Sequence, residues 1–242
     1  MVKEFLLVHG ACHGAWCWDE VASALRGRGH RVAAIDLPGH GRRAAEVRQA
    51  GVTAYARAVA AALAAEGMSR AIVVGHSMGG VVLPKAAELA PARIAHLVFL
   101  AAVVLPHGLS LAETLITPVA REMLAGNAAA RGDRAFLYPA EMAWARWMGD
   151  MPRSDPRVSR AISLLTPQAI QPFVERVDMR VFYSMRVPRT YIRCLGDRAV
   201  VPDTAAQCAA RLGVRPVDMA SAHNAMLSSP DGLCRILEGI DG

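Results

Sequence analysis

The clearest capacity for chemistry lies in VVGHSMGGVV, Val73 to Val82, where Ser77 has one glycine two residues before it and another two after it. That spacing describes a turn too sharp for a side chain at Gly75 or Gly79. A strained strand-to-helix turn of this kind presents a serine Oγ at a helix N-terminus, where free amides and the helix dipole favour developing negative charge. A serine hydroxyl is a weak nucleophile until a base removes its proton, so the chemistry also requires a histidine oriented by a carboxyl group. His223, in SAHNAML, and Asp197, in LGDRAVV, supply one of each.

Elements that bring such residues together are legible from hydrophobic period. Phe5 to Val8, Arg31 to Ile35, Ala71 to Val74 and Ile94 to Leu100 are short apolar or β-branched runs that read as buried parallel strands. Amphipathic segments of helical length separate them: Trp16 to Arg26, Thr53 to Glu66, and Ser77 to Ala90, with Pro91 as a stop signal. Thr190 to Leu195 and Val214 to Val217 repeat the strand pattern, and Pro202 to Arg211 and Pro230 to Ile240 the helical one. The alternation predicts an α/β fold, a mostly parallel, doubly wound sheet covered on both faces.

In such a sheet ligands bind beyond the carboxyl ends of the strands. The residues expected there are His9 to Cys12, Gly75 to Gly79, Gly196-Asp197 and Ala220 to Asn224. Asp197 directly follows a strand, whereas Asp203 reads as an N-terminal helix residue and Asp218 as part of the next strand. His223 lies past the last strand. His9 and His76 flank turns, His13 and His40 fall in loops, His30 and His96 precede strands, and His107 opens an insertion. An oxyanion formed by attack needs two donors, one amide after the nucleophile and one from an earlier loop. Those positions are Met78 and Ala11, and Gly10 would let the earlier loop come close to a substrate.

Between Leu105 and Val187 the alternation fails, over far more than the dozen or so residues a parallel crossover requires. The chain therefore divides into a core, 1–104 and 187–242, and an inserted helical lid, 105–186, after the fourth strand. Helices are expected at Leu111 to Ala125, Ala140 to Trp147 and Pro167 to Val174. Trp144 and Trp147 are candidates to wall an apolar acyl or aryl group, with packing inside the insertion as the competing role. Arg121 or Arg146 could meet a carboxylate, against simple surface exposure.

Composition narrows the class. The 242 residues are 53% apolar and 20% charged, enough for one packed domain. The net charge of +6 is carried almost wholly by scattered arginines, without a basic block interleaved with aromatics, so nucleic acid is not the expected partner. Five cysteines without metal-ligand spacing read as reduced thiols of a cytoplasmic protein. Neither a signal segment nor a membrane span is visible. No metal or cofactor is expected, since the chain lacks a dinucleotide fingerprint, a P-loop and metal-spaced histidines. The apolar insertion offers a surface for a homodimer contact.

The order Ser, Asp, His is that of the α/β-hydrolase arrangement. LLVHGACHGAWCW, VVGHSMGG and HNAMLSSPDGLCRIL resemble the plant methylesterase and hydroxynitrile lyase group of α/β hydrolases and related bacterial esterases. The likeness covers Val2 to Leu105 and Val187 to Ile240 and is weak in the insertion. It implies a triad of Ser77, Asp197 and His223. Lyase members bear threonine where Gly10 stands, glutamate where His76 stands and lysine where Asn224 stands, so the resemblance implies hydrolysis. Esterase-like members often carry methionine in place of Asn224, which marks Asn224 as a substrate-side position.

The expected reaction is cleavage of a carboxylic ester of a small, largely apolar substrate through an acyl-enzyme. The same triad also serves lactone, thioester or carbon–carbon bond hydrolysis, and the fold also serves as a small-molecule receptor.

Overall fold

Phe5 and Leu7 join one cluster of buried side chains, and Leu6 and Val8 join another. This period of two is what a strand covered on both faces requires. The computed structural model describes residues 1–115, 126, 129, 132 and 134–241. Six parallel strands form the sheet in the order β2-β1-β3-β4-β7-β8. They are β1 (Glu4–Val8), β2 (Arg31–Ile35), β3 (Ala71–His76), β4 (Ile94–Leu100), β7 (Arg189–Cys194) and β8 (Val217–Met219).

One face is covered by α2 (Val52–Ala65), α3 (Gly79–Leu89) and α9 (Pro202–Arg211). The other is covered by α1 (Asp19–Gly27) and α10 (Pro230–Glu238), which pack Val21, Leu25, Leu233 and Leu237 against Phe5, Ile72 and Val98. The chain runs from β1 outward to β2 and then back past β1 to β3. The crevice beyond the carboxyl ends of β1 and β3 is therefore the topological switch point.

The doubly wound parallel sheet matches the sequence expectation, with differences that have local causes. The third helix starts at Gly79 rather than Ser77, because Ser77 has φ +54°, outside the helical region. The last strand begins at Val217, not Val214: the Val214 amide closes the preceding helix on Ala209, and Pro216 has no N–H to give to a ladder. Trp16 to Arg26 divides into a 3-10 turn, Ala15–Trp18, and α1.

The insertion contains α4 (Leu111–Leu115), α5 (Ala140–Trp147), α6 (Pro156–Leu164), α7 (Gln171–Val174) and α8 (Arg180–Ser184). It is not wholly helical. The helix expected at Pro167 to Val174 is instead a strand, β6 (Gln168–Ala169), antiparallel to β5 (Ala135–Phe136), followed by the short α7. The remainder of the helix expected to Ala125, and Arg121, lie outside the described residues. Trp147, Met148 and Met151 share a core with Trp18 and Met226, so these large side chains join the insertion to the sheet. Among the described residues no helix is long and apolar enough to cross a membrane.

Close approach of backbones fixes the start of α3. A Cβ on Gly80 would lie 2.6 Å from the Val103 carbonyl oxygen and 2.7 Å from the Ala102 Cβ, and neither can move without shifting the chain after β4. Gly80→Ala is therefore expected to cost about 1–3 kcal/mol, the scale of overpacking. Gly27→Ala, with nothing within 4 Å of the added Cβ, should be neutral or slightly stabilising. Urea unfolding of the two variants checks the contrast.

Candidate active site

Ser77 directly follows β3 and has a left-handed backbone, φ +54°. Its amide donates to the Leu100 carbonyl at 3.1 Å, and its carbonyl accepts from Gly80 and Val103, each at 3.0 Å. The turn is thus bonded on one side to β4 and on the other to α3. A Cβ on Gly75 would meet Leu83 at 2.7 Å, and one on Gly79 would meet the Val8 and His9 carbonyl oxygens at 3.2 Å. Both glycines permit the close packing that the spacing around Ser77 implied.

The carboxyl ends of β7 and β8 bring the other two residues. Leu195 donates to the Met219 carbonyl and Gly196 to the Ser221 carbonyl, each at 2.9 Å, so the two loops are zipped together. Asp197 Oδ1 accepts from the Ala199 and Val200 amides at 2.7 and 2.9 Å, which leaves Oδ2 for His223 Nδ1 at 2.7 Å. With Nδ1–H donating to the carboxyl, His223 Nε2 is the acceptor for the Ser77 hydroxyl, 2.9 Å away. Asp197 and His223 are buried; Ser77 is partly exposed. Asp203 lies in the first turn of α9, and Asp218 lies in β8, ion-paired with Arg193.

The loop after β1 lies against the serine. A Cβ on Gly10 would be 2.8 Å from Ser77 Cβ and 2.9 Å from His76 Nδ1. Neither the Ala11 nor the Met78 amide donates to an acceptor among the described residues.

Four histidines given only local roles by the sequence are gathered here, all buried. His76 Nε2 donates to the His223 carbonyl at 3.0 Å, and its ring lies 4.6 Å from that of His223. His9 Nδ1 donates to the Gly10 carbonyl at 2.8 Å while its Nε2 accepts from Leu37 N–H. His13 Nδ1 donates to the Ala11 carbonyl at 2.7 Å. Its Nε2 must then be an acceptor, so the Asn224 group facing it at 3.0 Å is the amide nitrogen. His40 Nε2 donates to Gln168 Oε1 at 2.9 Å. Among the described residues no group of three or more His, Cys, Asp or Glu side chains is arranged to hold a metal ion.

The sequence signal for His9 and His13 was present: they bracket the loop that carries Gly10 and Ala11. Gln168 had none, because it lies in the insertion, 156 residues from its partner Cys12.

Of the residues expected to meet substrate, Gly10 lies against Ser77 as described. Asn224 is fully buried with its nitrogen committed to His13, and its backbone amide donates to the Trp147 carbonyl at 2.8 Å. Trp147 stacks on Tyr138 at 4.4 Å and stands 5.1 Å from the His13 ring. Trp144 donates its indole N–H to the Met151 carbonyl. Among the described residues, no hydrogen bond or ring contact links it to Ser77, His13 or His223. Arg146 is exposed.

Burial pushes His13 down to about 4 and holds His9, His40 and His76 below the ordinary imidazole value; the proximity of His40 adds to the effect at His9, and that of His223 at His76. The unfolded chain takes up these protons near pH 6.5, whereas the folded chain resists them until lower pH. Stability is then fully present above about pH 6.5 and is lost as pH falls toward 4, by about 1.4 kcal/mol per pH unit for each proton the unfolded chain alone binds. Denaturant unfolding at pH 7.5, 6.0 and 5.0 measures this slope. Equal stability at all three would show that the imidazoles titrate normally in the folded protein.

Comparison with known proteins agrees with the geometry. The description "Alpha/beta hydrolase family" matches residues 5–236. Esterase PIR7B of Oryza sativa subsp. japonica is 46% identical over 103 residues, 41% of this chain and 38% of that protein. The matched region thus spans about two-fifths of that rice relative. Methylesterase 7 of Arabidopsis thaliana is 29% identical over 248 residues, covering 97% of this chain and 95% of its own. Among solved structures, the extracellular alpha/beta-hydrolase from a Paenibacillus species superposes with a TM-score of 0.88 at 23% identity, covering 97% of both chains. The pyrethroid hydrolase PytH superposes at 0.78 with 27% identity, over 98% of this chain and 96% of that one. With its parallel sheet, its serine at the switch point and a match that runs nearly end to end, the chain belongs to the alpha/beta hydrolase family.

Proposed function

We propose that the protein is a serine esterase that cleaves a carboxylic ester of a small, largely apolar substrate. One observation carries the reading: a serine held at φ +54°, hydrogen-bonded to a histidine that is itself hydrogen-bonded to a buried carboxyl. The relatives named as esterases and methylesterases support it.

In this mechanism Ser77 Oγ attacks the ester carbonyl as His223 Nε2 takes its proton. The imidazolium, stabilised by Asp197, returns that proton to the departing alcohol. Water then repeats both steps on the acyl-enzyme. The Ala11 and Met78 amides receive the oxyanion, each worth about 3 kcal/mol in the transition state. His76 positions the base through the His223 carbonyl, and Asn224 supports the oxyanion loop through His13. Residues 105–186 act as the lid, with Trp147 on its substrate side.

Release of p-nitrophenol from short acyl esters, as burst and steady state, tests the reading. Ser77→Ala is expected to abolish turnover with the fold intact, and a folded, fully active Ser77→Ala would exclude the mechanism. Gly10→Ala, whose Cβ would press on Ser77 and His76, should lower kcat about 10- to 100-fold by displacing the oxyanion loop. Unchanged kcat in that variant would remove Ala11 from the proposed oxyanion hole.

A further inference from the structure

Three consecutive peptide groups follow His9, and each is held from its surroundings. In the first, which carries the Ala11 N–H, the Gly10 carbonyl accepts from His9 Nδ1 at 2.8 Å. In the second, the Ala11 carbonyl accepts from His13 Nδ1 at 2.7 Å and the Cys12 amide donates to Gln168 Oε1 at 3.1 Å. In the third, the Cys12 carbonyl accepts from the Thr166 amide at 2.9 Å. Two of these anchors, Gln168 and Thr166, belong to the insertion and not to the sheet.

Gln168 is fully buried, and its orientation follows from its neighbours. Its Oε1 receives two donors, Cys12 N–H and His40 Nε2–H at 2.9 Å, while its Nε2 donates to the Ala169 carbonyl at 3.0 Å. A flipped amide would set donor against donor on one side and acceptor against acceptor on the other. Its backbone is fixed in turn by the ladder in which Phe136 pairs with Gln168. The segment it grips needs a grip, because Cys12 has φ +63°, a conformation an L-residue keeps only when the surroundings impose it.

We propose that Gln168 is a positioning residue for the oxyanion hole, by which the inserted segment sets the aim of the Ala11 N–H. The proposal rests on the esterase reading above for its catalytic consequence, but not for the clamp itself. A peptide plane held at both ends cannot rotate, and the donor lies one peptide upstream of the plane that Gln168 and His13 share. Without Gln168 the Cys12 amide would be buried without an acceptor, and the loop would relax toward a negative φ, turning the donor away from the position of the oxyanion.

Two variants of the full chain test this. Gln168→Met fills the volume without an acceptor; Gln168→Glu, its carboxyl held neutral by burial, keeps an acceptor oxygen for Cys12 and His40 and an O–H for the Ala169 carbonyl. Hydrogen–deuterium exchange over residues 9–14 reads the clamp, and kcat, KM and the affinity of an aryl trifluoromethyl ketone, which forms a tetrahedral adduct with the serine, read its consequence.

In Gln168→Met, exchange of residues 9–14 should accelerate while that of β3 and α3 does not. Its kcat should fall about 10- to 100-fold with KM nearly unchanged, the size of effect an ångström of misplacement produces. Ketone affinity should fall in parallel, and Gln168→Glu should recover most of each loss. Unchanged exchange in the Met variant overturns the clamp. Accelerated exchange with wild-type kcat and ketone affinity, or equal loss in both variants, overturns the positioning role. If the wild type turns over no ester while the Met variant still loosens residues 9–14, the esterase reading falls and the clamp stands.

Discussion

The left-handed backbone of Ser77 is the constraint on which the rest of the site depends. Such a conformation costs about 1–3 kcal/mol for a residue with a side chain. It persists because the Ser77 amide and carbonyl are both bonded to the segment around the end of β4, and because Gly75, Gly79 and Gly80 let three backbones close around it. A side chain at any of the three would force these contacts apart. The sheet order supplies the rest: β3 lies between β1 and β4, so the loop after β1 falls against the serine and the chain after β4 braces it from behind. The histidine and its acid arrive from the edge of the sheet, where β7 and β8 end side by side.

Much of this was written locally. Strand and helix period placed five of the six sheet strands to within one or two residues, and Gly-x-Ser-x-Gly between a β-branched run and an apolar helix located the sharp turn. Ser77, Asp197 and His223 could be selected because each follows a strand, and the structure brings them within hydrogen-bond distance. Legibility failed where the determinant was distant. Pro167 to Val174 reads from the sequence as a helix of the insertion, yet Gln168 pairs with Phe136 and reaches back to Cys12. The histidines looked incidental because each has an unremarkable local setting; their common destination is a property of the sheet order, not of any short segment. Asn224 read as a substrate-side position; its nitrogen faces His13, and its Oδ1 has no hydrogen-bond partner among the described residues.

Five imidazoles crowd this end of the sheet, and their differentiation is electrostatic. Only His223 among them is hydrogen-bonded to a carboxyl. The other four meet carbonyls, amides and one another, and burial keeps them neutral. A proton taken from the serine in the proposed reaction is therefore stabilised at one ring and disfavoured at its neighbours. The neutral rings still contribute: His9 and His13 each donate through Nδ1 and accept through Nε2, which ties the loop after β1 to its surroundings without adding a charge.

Cys12 gives this arrangement a chemical selectivity of its own. As a thiolate it would be a stronger nucleophile than the neighbouring serine, and it sits one residue beyond Ala11. Burial pushes its thiol up to about 12, so at neutral pH the sulfur is protonated and closed to solvent. The other four cysteines are likewise buried and unpaired. In the native fold the choice between the two nucleophiles is thus decided by access and protonation rather than by intrinsic reactivity: an electrophile meets a partly exposed serine hydroxyl, and soft alkylating reagents meet no thiolate until the chain opens.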